Sequence, residues 1–558
     1  MHGEDFPLAL NVQYAGKGLW GMDYRIDRPT EFSYSILPHQ GNWEQCRLWT
    51  RSEERNEPLI ATLAGDISLT SASFLSVEND AYELSSMYYE GKSLYVRLFN
   101  SLSNDTSRKI AITGTNLSVK LVELDGRTIE TLLVHEENGK SYLDLAIPQF
   151  GMKNKILLSL FLLLNPFFIL GNNWTDDKNY AEEVNTLIGT KGLGLASGYL
   201  YPGATYPFGM VQFTPSYFSK SAGFVINQLS GAGCDHMGNF PTFPVKGKLQ
   251  ASPENILNYR INISKEQGHA GYYEATVQED IRAHLTVTER TGMAKYEFPA
   301  NQTMGTVIIG GGISATPINQ AAIVITAPNR CEGYAVGGNF CGLPTPYKVY
   351  FVAEFDKGAV EFGTWKQKEL KPNTTFAEGE CSGVYFTFDL DKKKDIQYKI
   401  GVSYVSVDNA RKNLRMENAG WNFDEIRGEA EKSWNHYLSK IEVEGDNADR
   451  ITQFYTHLYR TMIHPNVCSD VNGEYMGADN RVYKSRSKQY TSFSNWDTYR
   501  TQIQLLAMLE PDVTSDIVIS HQDFAEQSGG AFPRWVLANI ETGVMQGDPT
   551  PILISNAY

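Results

Sequence analysis

One stretch limits what this chain can fold into before any periodicity is considered. Residues 152–171 read MKNKILLSLFLLLNPFFILG: a Met, two lysines, an apolar run, then a small residue. A segment so apolar must be buried in a core, held in a bilayer, or removed. It is short for a bilayer span, which takes about 20 apolar residues, and Asn165-Pro166 interrupts it. Basic, then apolar, then small is the layout of a secretory leader, and that is the reading adopted; a buried strand or helix is the alternative. A leader here makes Met152 a former start, cuts the chain in two, and sends the C-terminal part to the periplasm or the exterior.

Residues 1–151 read as all-β. Leu94-Tyr95-Val96-Arg97-Leu98-Phe99 and Ser141-Tyr142-Leu143-Asp144-Leu145-Ala146-Ile147 alternate as half-buried strands do. Turn signals such as Asn104-Asp105, Asp125-Gly126 and Asn138-Gly139 fall between strand candidates. A β-sandwich is expected. A second β-rich region, 172–410, comes after the apolar run. There Ile281, Ala283, Leu285 and Val287 share one strand face, and YKVYFVAEFD, SGVYFTFDL and YKIGVSYVSVD continue the pattern. Its glycine-rich passages, YPGATYPFGM and SGAGCDHMGNF, match no GxxxxGK[ST] phosphate loop. Cys234 and His236 in the second passage invite a nucleophile or metal reading, but glycines that let a loop approach a ligand explain it better.

The period then changes. A linker helix is expected over 411–445, where Ile426, Ala430, Trp434, Tyr437, Leu438 and Ile441 recur at helical spacing. From 446 to 558 the chain reads as all-α. Ile451, Phe454, Tyr455, Leu458, Tyr459 and Met462 form an i, i+3, i+4, i+7 stripe. Further helices are expected over 496–510 and 512–527, the second stopped by Gly529-Gly530. His457 and His464 are read as structural.

The chemistry concentrates near the end. Asn495-Trp496-Asp497-Thr498-Tyr499-Arg500, Pro533-Arg534-Trp535 and Gly547-Asp548-Pro549 lie close together at predicted helix ends and loops, where a helical scaffold presents binding groups. Indole beside carboxylate and guanidinium suits a sugar, whose C–H face stacks on the ring while its hydroxyls take the polar groups. Either Trp by itself is more often a core residue; three clusters together favour a site.

Composition removes other classes. The 558 residues carry a net charge of −15, which excludes a nucleic-acid partner, since phosphates require a basic surface. The length suggests about three or four domains. Six cysteines are scattered without a CxxC pair, so a zinc cluster is not expected. Cys331 and Cys341 bracket a glycine-rich loop. They are a disulfide pair in an oxidising compartment, or two ordinary buried thiols.

The wording of the chain carries two resemblances. EFSYSILPHQGNW, SFLSVEND, LYVRLFNSLSNDTSRKIAI and LAIPQFGMK resemble the C-terminal β-domain of glycoside hydrolase family 38 α-mannosidases, whose zinc-bearing catalytic domain would lie upstream. Residues 173–558 resemble glycoside hydrolase family 92 through YPGATYPFGMVQFTP, INQLSGAGCDHMGNFP, LTVTERTGMAKYEFP, YFVAEFD, FYTHLYRTMIHPN, SNWDTYRTQIQLL, FPRWVLANIETGVMQGDP and NAY. These are calcium-dependent, inverting exo-α-mannosidases, many from gut Bacteroidetes.

The family 92 resemblance implies a β-sandwich packed on an (α/α)6 barrel, with the sugar between them. The expected substrates are terminal α-mannosides, α-1,2-linked ones foremost, of mannan or N-glycans. Trp496 and Asp497 would hold the terminal mannose, with Arg534, Glu541 and Asp548 as neighbours. The loop carrying Cys234 and His236 would be the sandwich's contribution. Inversion takes one carboxylic acid and one carboxylate about 6.5–9.5 Å apart. The resemblance puts acid, base and calcium ligands later in the barrel, beyond Tyr558, so no catalytic or metal-binding residue is assigned here. The barrel also needs more helices than the periodicity marks. The chain therefore reads as a composite: a family 38 tail, a leader, and the first part of a family 92 enzyme. The alternatives are a non-catalytic carbohydrate-binding protein and a protein tethered to a membrane by 156–170. Oligomeric state is not legible.

Overall fold

The computed structural model describes residues 16–17, 23–24, 73–78, 82–90, 93–100, 107–122, 128–147, 152–160, 178–190, 199–216, 223–254 and 263–557. They fall in two units, Met1–Ile169 and Leu170–Tyr558.

In the first unit, antiparallel pairing builds two larger sheets besides the short pair Gly16–Lys17 and Asp23–Tyr24. One has four strands in the order Leu75–Val77, Arg108–Thr113, Lys140–Leu145, His135–Glu137. The other has five, in the order Tyr82–Glu90, Ser93–Asn100, Met152–Leu160, Leu117–Val122, Thr128–Leu132. The alternation seen in the sequence gives each sheet one apolar face. Leu94, Val96, Leu98, Val119 and Leu121 from the larger sheet meet Ile110, Ile112, Leu143 and Leu145 from the smaller in one core. The Tyr82 hydroxyl joins the layers by donating to the Leu145 carbonyl (2.7 Å) and accepting the Ile147 N–H (3.2 Å).

The described portion of the apolar run is the strand Met152–Leu160, paired with Ser93–Asn100 on one side and Leu117–Val122 on the other. A strand inside a sheet has both backbone edges satisfied. Residues 161–171 lie outside the described residues.

The second unit is a larger sandwich followed by helices. Its eight-stranded sheet runs Ala204–Thr205, Gln212–Pro215, Phe224–Val225, Thr242–Lys246, Met304–Ile309, Ser382–Asp389, Glu361–Lys366, Glu369–Pro372. Its nine-stranded sheet runs Ser264–His269, Tyr272–Val277, Ile281–Val287, Thr291–Glu297, Asp395–Ser403, Tyr347–Phe355, Arg330–Gly337, Ile318–Ala327, Phe376–Glu378. Ile281, Ala283, Leu285 and Val287 are fully buried, as the period-2 pattern requires. Farther along the same sheet, Phe355 packs on Phe386 and Phe388 of the other sheet, with ring centroids 4.9 Å apart in each case.

The helices are α1 (Tyr180–Glu183), α2 (Val407–Glu417), α3 (Phe423–Leu438), α4 (Ala448–Arg460), α5 (Asn495–Thr498), α6 (Gln502–Leu509), α7 (Pro511–Gln527) and α8 (Thr550–Ala557). Two expectations change. The single linker helix over 411–445 is α2 and α3, because Asn418 leaves helical geometry and Asn422 caps a new start by accepting the Glu425 N–H. The helix over 496–510 is α5 and α6, split where Thr501 takes φ +62°. Asn447 caps α4 in the same manner as Asn422 caps α3, an interaction worth about 1 kcal/mol.

Candidate functional site

The site lies where loops of the second sandwich meet α4 to α8. Backbone and side-chain bonds hold that junction. Trp434, fully buried on α3, donates its indole N–H to the Thr205 carbonyl (2.7 Å), and the Thr205 hydroxyl bonds that of Tyr459 on α4 (2.7 Å). Phe208 N–H donates to Met462 O, and Val467 N–H to Phe208 O, both at 2.8 Å. Gly203 is needed here: a Cβ on it would stand 2.2 Å from that of Thr214.

Beside this junction is a cavity of about 400 Å³, within the range of small-ligand sites. The sandwich lends it Leu229, Ser230, Gly231 and Ala232; the helical side lends Arg460, His464, Ser494, Asn495, Asp497, Thr498, Gln502, His521 and Trp535 among others. Gly231, at φ +85°, turns the sandwich loop and donates its N–H to Tyr199 O (2.9 Å). Ser492 on the opposite wall sits at φ +60°, a left-handed conformation that costs a non-glycine residue about 1–2 kcal/mol.

Neutral histidines fix the walls. His236 Nε2 accepts the Leu229 N–H (2.8 Å) and its Nδ1–H donates to Cys234 O (2.7 Å). His464 Nε2 accepts the next amide, Ser230 N–H (2.8 Å), so its Nδ1–H donates to Asn466 Oδ1 (2.8 Å). Two successive loop amides are thus captured by two imidazoles, one from each side of the junction. His521 on α7 gives its Nδ1–H to Ile517 O (2.7 Å), leaving Nε2 to accept from the Asn495 side chain (2.8 Å). Burial pushes His236 and His521 down to about 4; burial lowers His464 too.

Asn495 is the hub of the helical wall. Its Nδ2 also lies within bonding distance of Pro533 O (3.0 Å) and Thr550 Oγ1 (2.7 Å), and its N–H donates to Arg534 O (3.1 Å). One residue therefore ties α5 to α7, α8 and the 533–535 segment. His521 is not among the residues that the sequence marks, Asn495 is marked only as the first of its cluster, and His464 is read there as structural. The sequence signal for His521 is its place four residues after Ile517 on the apolar face of α7.

The proposed sugar-binding residues divide into three groups. Asp497 lines the cavity, accepting a bond from the Ser494 hydroxyl. Trp496 beside it is 46% exposed and outside the lining. Arg534, Glu541 and Asp548 are outside it as well. Glu541 accepts the N–H groups of Arg534 (2.7 Å), Trp535 (3.1 Å) and Gly543 (3.0 Å), bracing the turn behind the wall. Arg534 donates to Val544 O (3.0 Å) and Gly547 O (3.2 Å), and Asp548 is exposed.

Cys234 and His236 also stand behind the lining. Of the two readings left open for Cys331 and Cys341, the thiol reading holds for Cys331 alone: the disulfide joins Cys234 to Cys341, Cα atoms 5.3 Å apart, and Cys331 is a free thiol. Cys331 faces the core from the strand Arg330–Gly337, fully buried, whereas Cys341 sits in a turn next to the Gly231 loop. Phe340, its neighbour, stacks on Trp535 at 4.6 Å. Loop, disulfide and cavity wall are therefore one assembly.

Comparison with known proteins decides the family. Residues 183–403 match the glycosyl hydrolase family 92 N-terminal domain, and residues 409–558 match the family 92 catalytic domain. The second unit belongs to glycosyl hydrolase family 92. An uncharacterized secreted glycosidase of Arthroderma benhamiae is 24% identical over 368 residues, which are 57% of this chain and 45% of that protein. The family 92 alpha-mannosidase BT3965 of Bacteroides thetaiotaomicron superposes with a TM-score of 0.62 at 25% identity, over 68% of this chain and 53% of its own; it is also solved in complex with mannoimidazole. The inverting mannosidase BT2199 of the same organism gives 0.61 at 25% identity, over 68% and 52%. The chain spans about half the length of these family 92 relatives.

The family's calcium does not fit the residues at this cavity. Calcium takes six to eight oxygen ligands, and Asp497 is the single carboxylate among the described lining residues. Among the described residues no cluster of three or more His, Cys, Asp or Glu side chains can hold a metal.

Proposed function

We propose that the second unit is the sugar-holding part of an exo-acting α-mannosidase that removes terminal α-mannosides, α-1,2-linked ones foremost, from mannan or N-glycans with inversion. The observation that carries this reading is the cavity at the junction of the two family 92 domains, with Asp497 in a wall otherwise built of apolar and uncharged polar groups apart from Arg460. The C–H face of mannose lies against Trp535 and the aliphatic floor, and its hydroxyls take Asp497, Thr498 and Gln502. The mannoimidazole bound by BT3965 supports the choice of sugar. Helices α3 to α8 belong, on this reading, to an (α/α)6 barrel.

Inverting hydrolysis needs two carboxyl groups on opposite faces of the sugar. One carboxylate lines the cavity, so we assign it to holding the sugar and name neither acid nor base. The Cys234–Cys341 disulfide favours an oxidising compartment, in keeping with a periplasmic or secreted protein. No described helix is long and apolar enough to cross a membrane. The first unit we read as the β-domain of a family 38 α-mannosidase joined to this one, on the wording of its strands.

Calorimetric titration with mannoimidazole tests the reading. Binding that Asp497→Ala abolishes supports it, and a folded protein that does not bind overturns it. The lone carboxylate also favours a second reading, a non-catalytic carbohydrate-binding protein. Mannoimidazole binding by the unsubstituted protein, with no mannose released from α-1,2-mannobiose, would favour that second reading.

A further inference from the structure

The outer face of the nine-stranded sheet carries a second concavity, about 350 Å³ in volume, which shares no residue with the cavity. Strand alternation creates it. On Ile318–Ala327 and Arg330–Gly337, Ile323, Ile325, Cys331 and Ala335 turn into the core, which leaves Ala322, Val324, Glu332 and Tyr334 facing out. Helix α2 lies mainly on the neighbouring strands, packing Ala410 and Leu414 on Val352, and reaches Arg330–Gly337 through Arg411. Its cover stops short of the sheet edge, where Phe376 stands 54% exposed. A groove results, with a small apolar floor, an open phenyl ring on one side and the first turns of α2 on the other.

The charges in this groove cancel. The Arg411 guanidinium donates to Glu332 (2.8 Å) and to Asp408, and Arg330 stands 3.6 Å from the same Glu332. Two carboxylates thus face two guanidinium groups, so neither an anion nor a cation is selected. Asp408 still keeps 77% of its side chain in water, open to hydroxyl donors. Lys348 lies 4.0 Å over the Tyr334 ring, so Phe376 is the ring left for a ligand. The edge strand Phe376–Glu378 has three residues, too short a ladder for an added peptide strand.

We propose that this groove is a second carbohydrate-binding site, taking one or two neutral sugar units from within a longer glycan. The sugar's C–H face lies on Phe376 and Val324, and its hydroxyls meet Asp408, Glu332 and Arg411. An open groove at a sheet edge lets a chain pass through, unlike the cavity, which takes a chain end. The site stands whether or not the cavity belongs to a mannosidase.

Affinity electrophoresis of the full chain through gels containing neutral yeast mannan tests it, in an Asp497→Ala background that silences the cavity. Retardation is expected to persist in Asp497→Ala, to weaken at least about tenfold when Phe376→Ala is added, as loss of a central aromatic anchor does, and to return with Phe376→Trp. Mannan retardation unaffected by Phe376→Ala would overturn the proposal. So would equal retardation by a polyanionic glycan, or capture of extended peptides in place of mannan. Calorimetry with mannoimidazole on the Phe376→Ala single variant should match the unsubstituted protein, which separates failure of the groove from failure of the cavity.

Discussion

The nine-stranded sheet and the helices from α4 onward handle apolar surface differently. Along Ile281–Val287 the core-facing side chains are fully buried against the opposing sheet, and hydrogen bonds to both neighbouring strands close the ladder. The helical region leaves Trp496, Met508, Phe532, Met545 and Ile552 between 39% and 60% exposed, surrounds a cavity, and holds Ser492 and Thr501 at positive φ. A sheet layer completes itself with one opposing layer, whereas a helix needs neighbours along its whole apolar stripe. The sandwich is the frame, and the cavity sits in the half where packing is looser and loops do the shaping.

The largest test of that contrast is Phe355→Ala. Phe355 is fully buried among Phe386, Phe388 and Tyr398, and its truncation should cost about 3–5 kcal/mol. Met508→Ala, at an exposed helical position, should change stability by no more than about 0.5 kcal/mol. Urea titrations that gave equal losses would dissolve the distinction between frame and helical half.

Next in size is the disulfide. Cys234 and Cys341 are 107 residues apart, and removing such a link typically costs about 2–4 kcal/mol through the freer unfolded chain. Cys341→Ser should also weaken mannoimidazole binding, because Phe340 and Trp535 lose their anchor to the Gly231 loop. If stability fell while affinity held, the link would belong to the frame alone.

The histidines supply a smaller, graded effect. His236 and His521 stay neutral in the fold down to about pH 4, whereas an unfolded histidine takes its proton near 6.5. The unfolded state therefore binds more protons between those values. Stability should fall as pH drops from about 6.5 to 4, by about 1.4 kcal/mol per pH unit for each histidine. His521→Gln should flatten the slope by one histidine's share; an unaltered slope would show that the imidazole is not the titrating group.

Much of the frame was legible because period-2 burial needs only local order: Ile281, Ala283, Leu285 and Val287 declare their face in the sequence. The helical stripe from Ile451 was legible for the same reason. What failed depends on distant partners. The break at Thr501 is a single backbone turn inside a stretch, 495–509, that has no glycine or proline to mark it. Cys331 pointed inward, so Cys341 paired with a cysteine brought to it by the fold. Asn495 gains its role from α7, α8 and Pro533, none of which its neighbours in sequence reveal. Trp496 and Trp535 occupy similar aromatic, charged wording, yet a one-turn helix exposes the first, whereas the second is buried, bridged to Ser494 and stacked on Phe340.

That pair gives the smallest effect and the sharpest test. Trp496 is half exposed and outside the cavity lining, so Trp496→Ala should leave stability within about 0.5 kcal/mol. It nevertheless precedes Asp497, the cavity's carboxylate, on the same short helix. A stacking role predicts that mannoimidazole binding, confined to the cavity, changes little, while affinity for α-1,2-mannotriose falls about tenfold, or about 1.4 kcal/mol. Equal affinities for both ligands in both proteins would place Trp496 with Met508 and Ile552, as apolar surface of the helical half with no part in the sugar. A drop with mannoimidazole as well would extend the site from the cavity onto the exposed face of α5.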